Sequence, residues 1–143
     1  MDILYSDRDL AVCIKPVGLD SELQIPAALK EQLGGGVFPI HRLDKNVGGV
    51  MVYALNKKSA ASLSAQVADR SFSKQYIALV HGVPEKEEDT LEDLLYFDKA
   101  KNKSFTVKKE RKGVKKAVLD YKTVGIKDNT TLVCVRLHTG RTH

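Results

Sequence analysis

The sequence predicts an α+β fold built on a largely antiparallel sheet with few flanking helices. Apolar runs of strand length recur along the chain, and most neighbouring runs are joined by connections of hairpin size. Only two segments, 21–34 and 57–70, carry helical signals. No repeat, low-complexity tract or linker interrupts the pattern, so residues 1–143 are expected to form one domain.

The elements follow in order. ILYSDRDLAVCIKP reads as a hairpin turning at Ser6–Asp7–Arg8–Asp9 and closed by Pro16 and Gly18. In SELQIPAALKEQLG a short helix is expected after Pro26, ending at Gly34–Gly36. PIHRLD leads into GGVMVYAL, a buried strand. A second helix is expected over 57–70, where Ala60, Leu63 and Val67 share a face and Asn56 supplies the N-cap. SKQYIALVHGV is a strand stopped by Pro84. SFTVKK and KKAVLDYKTVGI flank a turn at Arg111–Lys112–Gly113, and a last hairpin turns at Lys127–Asp128–Asn129 into TTLVCVRLHTG.

Composition narrows the function classes. Hydrophobic residues make up 43% and charged residues 29% of the 143 residues, a globular balance rather than a disordered one. No apolar run approaches the roughly 18–20 residues that span a bilayer, and the first residues lack the pattern of a secretory signal. Cys13 and Cys134 stand among apolar residues without metal or disulfide spacing, as buried free thiols of a cytoplasmic protein would. With no Cys/His cluster, a metal site is not expected. The net charge is +5. Residues 85–93, EKEEDTLED, are acidic, whereas 99–116 hold nine lysines and arginines against the single acid Glu110. Alone, such a run suits a solvated hairpin; beside independent signs of nucleic-acid chemistry it suits a phosphate backbone.

Chemistry concentrates in PIHRLDKN, residues 39–46. Asp44 lies near glycines that allow close approach and beside Arg42, and a carboxylate next to a guanidinium suits a nucleophile or base better than an acid. A local ion pair fixing a turn explains the same spacing equally well. His41 reads as structural support. The C-terminal RLHTGRTH places Arg136, His138, Arg141 and His143 around a glycine turn, a ready anion contact. HRLDKN superficially matches a protein-kinase catalytic loop, but only forty residues precede His41 and no phosphate-binding glycine loop or strand lysine lies among them.

Five landmarks in order carry a resemblance over nearly the whole chain: LYSDRDLAVCIKPVGL, PIHRLDKNVGGVMVYALNKKSAASL, RSFSKQYIALVHG, KKAVLDYKTV and VRLHTGRTH. In sequence and spacing they resemble the RluA family of pseudouridine synthases, which isomerise uridine to pseudouridine in ribosomal or transfer RNA without metal or cofactor. The resemblance implies that family's catalytic-domain fold and makes Asp44 the catalytic carboxylate. It further implies that Arg42 fills the space left by a flipped base, that Tyr76 stacks near the uracil, and that Arg141 helps set the aspartate's ionisation. Lys15, Lys45 and the 99–116 stretch would hold the RNA backbone, with His41 and Leu137 in support. No separate RNA-binding domain is expected to precede these motifs, since Lys15–Gly18 is already the first landmark.

Two departures stand out. Val47 and Gly48 occupy places where the family usually has Thr and Ser, and Ile14 stands where Asn is common. The family motif also continues beyond Thr–Gly–Arg–x–His, so a C-terminal part of the catalytic domain is expected to be missing. Residues 1–143 are then expected to be weakly active or inactive and to self-associate through an exposed sheet edge. The alternatives are an inactive RNA-binding remnant of the same fold and a small enzyme acting on a phosphorylated ligand.

Overall fold

The computed structural model describes residues 1–140, and the chain forms two compact units, Met1–Phe72 and Ser73 onward. In the first unit, β1 (Asp2–Ser6), β2 (Leu10–Lys15), β3 (Phe38–Pro39) and β4 (Gly49–Ala54) form an antiparallel sheet of order β1-β2-β4-β3, accompanied by α1 (Gln24–Leu33) and α2 (Lys57–Ala68). The Asp7 carboxylate accepts the N–H groups of Asp9 and Leu10, both at 2.8 Å, and so closes the β1–β2 turn with its own side chain.

Strand alternation sends Ala11, Cys13 and Lys15 of β2 to one buried face, opposite Tyr53, Met51 and Gly49 of β4. Ile25 and Leu29, one helical turn apart on α1, complete a core of Cys13, Ile25, Leu29, Met51 and Tyr53. Helix α1 begins at Gln24, upstream of the expected start, because Pro26 falls in the first turn where its missing N–H has no helical partner to lose. Helix α2 is capped as its sequence indicates, with the Asn56 side chain accepting the Ser59 N–H at 2.9 Å.

The second unit is a sheet of order β5-β9-β8-β6-β7, antiparallel throughout: β5 (Gln75–His81), β6 (Glu88–Asp98), β7 (Lys103–Val107), β8 (Val114–Lys127) and β9 (Thr130–Leu137). The β8–β9 turn holds Asp128 and Asn129 at φ of +51° and +58°, the mirror-image hairpin geometry those residues tolerate. Two features depart from the sequence reading. The acidic run 85–93, to which no element was assigned, supplies the first half of β6. There Glu88 stands opposite Lys122, and Glu92 pairs with the Lys116 ammonium at 2.7 Å, so cross-strand lysines balance a charge pattern that by itself reads as loop. The strands flanking the Arg111–Gly113 turn are not partners either; β6 lies between them and bonds both.

Alternation gives this sheet two unlike faces. Tyr76, Ala117, Thr131, Val133 and Leu137 share the more covered one, while Gln75, Ile77, Leu79, Cys134 and Arg136 share the more open one. Cys13 is buried and Cys134 half-buried, and both are free. Among the described residues no helix is long and apolar enough to cross a membrane, and no cluster of three or more His, Cys, Asp or Glu side chains could hold a metal ion.

Candidate active site

The loop from β3 to β4, residues 40–48, carries His41, Arg42, Asp44 and Lys45. The Asp44 carbonyl accepts the Val47 N–H at 3.0 Å, turning the chain just before it enters β4. Asp44 and Arg42 project into solvent, with side chains 73% and 70% exposed and their charged atoms 3.9 Å apart. A pair so open and so long contributes little to stability, on the order of 0–1 kcal/mol, so it gives the fold small reason to keep a carboxylate there. Lys45 is exposed as well.

The backbone around Asp44 is held far more firmly than its side chain. On one side Ser21, itself buried, donates its hydroxyl to the Leu43 carbonyl at 2.9 Å and accepts the Leu43 N–H at 3.0 Å. Ser21 is anchored in turn by the Tyr53 hydroxyl, which donates to the Ser21 carbonyl at 2.7 Å from within the core. Burial pushes the Tyr53 phenol well above its ordinary range, so it stays a donor. The Leu43 side chain packs against the same core.

On the other side stands Lys15. It was expected to touch RNA phosphates, but its side chain is fully buried, with no exposed surface. Its ammonium donates to the carbonyls of Val47 at 2.7 Å, Pro16 at 3.1 Å and Lys45 at 3.3 Å, one for each proton. The physical reason is register: Lys15 ends β2 opposite Gly49, on the inward face with Cys13, so its stem must run inside. The Gly18 N–H adds a bond to the Lys45 carbonyl at 2.7 Å. Burial lowers the ammonium's proton affinity, and the nearby carboxylates of Asp20 and Asp44 partly restore it.

His41 lies deeper in the loop. Its Nε2 accepts the Val52 N–H at 3.4 Å, and its ring rests on Phe72 with centroids 5.2 Å apart, tilted by 43°. Gly48 is a point of close approach: a Cβ there would lie 3.3 Å from Val17 Cγ2 and 3.4 Å from the Lys15 carbonyl.

Of the other candidates, Tyr76 and Leu137 belong to the second unit and face the same side of its sheet. The Leu137 N–H donates to the Lys74 carbonyl at 3.3 Å, and its side chain lines a small recess with Leu91, Leu95, Ala117 and Leu119. Arg141, like His143, lies outside the described residues. Ser21 and Tyr53 were missed by sequence reasoning. An isolated serine after Asp20 and a tyrosine in an apolar strand carry no local signal of a partner 22 or 32 residues away.

The family model for RNA pseudouridylate synthase matches residues 9–143. An uncharacterised RNA pseudouridine synthase of Aquifex aeolicus is 34% identical across 100% of this chain and 50% of its own length. The tRNA pseudouridine synthase C of Haemophilus influenzae is 30% identical across 100% of this chain and 67% of its length. The solved structure of human RNA pseudouridylate synthase domain containing 4 superposes with a TM-score of 0.82 at 26% identity, covering 99% of this chain and 60% of that one. The chain spans about half the length of the Aquifex relative. A match that begins in the first hairpin and runs through both units, over a loop organised around an exposed aspartate, leaves one conclusion: the chain belongs to the RNA pseudouridylate synthase family.

Proposed function

We propose that this chain isomerises uridine to pseudouridine in a structured RNA, with Asp44 as the catalytic carboxylate. The observation that carries the assignment is an aspartate open to solvent on a backbone pinned from both sides, by Ser21 at Leu43 and by Lys15 at Lys45 and Val47. A group that must meet a nucleoside has to be both reachable and fixed, and this one is both.

The reaction needs no external reactant. Asp44 either adds to C1′ while the N1–C1′ bond breaks, as in retaining glycosidases, or removes the C2′ proton. The freed uracil anion turns and C5 bonds to C1′ as the Asp44–C1′ ester breaks or, on the second route, as the proton returns to C2′; the C5 proton then leaves while N1 takes one up. A stacked base is out of reach, so the target is flipped into the site or presented by a loop. Arg42, exposed and adjacent to Asp44, fills the gap left by the flipped base, and Lys45 meets the backbone phosphate. Tyr76 and Arg141 keep the roles that the resemblance gives them. Relatives named for transfer RNA and for the ribosomal large subunit support either RNA as the source of the target.

Tritium release from C5-labelled uridine in ribosomal and transfer RNA tests the assignment. Asp44→Asn is expected to abolish release while leaving RNA affinity unchanged. Equal release by the variant, or an absence of release both in this chain and in a version extended at its C-terminus, overturns it.

A further inference from the structure

The basic stretch of the second unit is more than a run of charge, because its hairpin end carries an organised aromatic surface. Tyr96 of β6 and Phe105 of β7 are direct cross-strand partners on the same face of the sheet. Phe105 is 38% exposed and lies on the edge strand of the sheet. The ammonium groups of Lys101 and Lys103 lie 5.6 and 6.0 Å from its ring centre, and the Arg111 guanidinium lies 4.9 Å from that of Tyr96.

Arg111 is not placed there by chance of rotamer alone. Its carbonyl accepts the Val114 N–H at 3.0 Å, closing a turn in which Gly113 takes φ of +87°, a conformation that favours glycine. A Cβ at Gly113 would lie 3.4 Å from the Tyr96 ring, so the turn packs directly on the tyrosine that Arg111 covers. An exposed ring rimmed by cations, beside an arginine stacked on a second ring, is the arrangement that binds unpaired nucleotides. The rings and the guanidinium plane take bases and the ammonium groups take phosphates.

We propose that the Tyr96–Phe105 platform, with Arg111, Lys101 and Lys103, is a second RNA contact that binds single-stranded or loop RNA by stacking as well as by charge. The proposal rests on RNA being the partner of this chain, and it adds what kind of RNA is held and by which residues. Duplex RNA, whose bases are stacked on each other, offers phosphates to the platform but no free base.

Fluorescence anisotropy with a labelled ten-nucleotide oligouridylate, a hairpin duplex of equal charge, and heparin tests this on the full 143-residue chain across a salt series. Phe105→Ala is expected to weaken oligouridylate binding about 5- to 150-fold, the usual range for losing one stacked base, with duplex binding and the salt slope unchanged. Phe105→Trp is expected to restore or tighten it, which shows that a weak alanine variant has lost a ring rather than its fold. Lys101→Ala with Lys103→Ala is expected to lower the salt slope by about 1–2, as two lost phosphate contacts would. Unchanged binding by Phe105→Ala, or equal affinity for oligouridylate, duplex and heparin, overturns the platform. Neither result touches the role of Asp44, which the tritium assay reads separately.

Discussion

The Lys15 ammonium sits 2.7 Å from the Val47 carbonyl oxygen and 3.3 Å from that of Lys45, inside the unit and beneath the loop that displays Asp44. A buried cation on backbone carbonyls is a clamp, and its removal predicts a specific loss. Lys15→Met fills the same space without the charge, so the desolvation of an ammonium is relieved while the Val47 and Pro16 carbonyls lose their donor. Stability is expected to fall by only about 1–3 kcal/mol, whereas tritium release falls at least tenfold as the loop loosens, with RNA affinity and its salt slope unchanged. A reduced salt slope in this variant shows instead that Lys15 reaches phosphate.

Ser21 and Tyr53 hold the loop's other end, and they act in series. Ser21→Ala removes both the donor to the Leu43 carbonyl and the acceptor of the Leu43 N–H. Tyr53→Phe removes the donor to the Ser21 carbonyl. Each is expected to cost about 1–2 kcal/mol in urea unfolding. Because both act on one backbone segment, the double variant should cost less than the sum, by about 0.5 kcal/mol or more. Strict additivity indicates that the tyrosine serves the core alone.

Gly48 stands where the resemblance leads one to expect serine, and the geometry says what an added Cβ would meet. A Cβ at Gly48 lies 3.3 Å from the Val17 side chain, which is 66% exposed and free to turn away. The Lys15 carbonyl at 3.4 Å is ordinary contact. Gly48→Ser is therefore expected to fold normally, with stability within about 0.5 kcal/mol of the parent. A larger loss in thermal unfolding identifies Gly48 as a required close approach rather than a tolerated variant.

How far the sequence foretold this site depends on the range of each signal. Asn56 was read as the N-cap of α2 because its partner, Ser59, is three residues away. The turn at Asp128–Asn129 and the antiparallel class were readable for the same local reason. Asp44 and Arg42 stood out by their density of charge. The resemblance puts Lys15 at the RNA, and only the pairing of β2 with β4 reveals that its stem points inward. Ser21 was invisible because what it does is decided by a loop 22 residues on. Strand β6 was lost because its acidic first half is stabilised by lysines across the sheet, not by its own residues.

The end of β9 leads into the Thr139–Gly140 turn. Asp120 on β8 accepts the Thr90 hydroxyl at 2.7 Å and contacts His138 Nε2 at 2.6 Å. Beside them the His138 N–H donates to the Val118 carbonyl at 3.0 Å, and the Thr139 hydroxyl accepts the Val118 N–H at 3.0 Å. The Thr90 hydroxyl first, and then His138, hold the Asp120 carboxyl below its ordinary value of 3.8. A carboxylate depressed in the folded state contributes stability that is present above the unfolded value and lost as pH falls through the folded one. The contribution of Asp120 is therefore complete above 3.8 and disappears below it. Urea midpoints measured from about pH 5 to about pH 2.5 are expected to fall less steeply for Asp120→Asn than for the parent. Over the same range the backbone amides of Val118, His138 and Thr139 should lose exchange protection in the parent as the carboxylate takes up its proton. Parallel acid limbs in the two proteins mean that Asp120 does not anchor the turn.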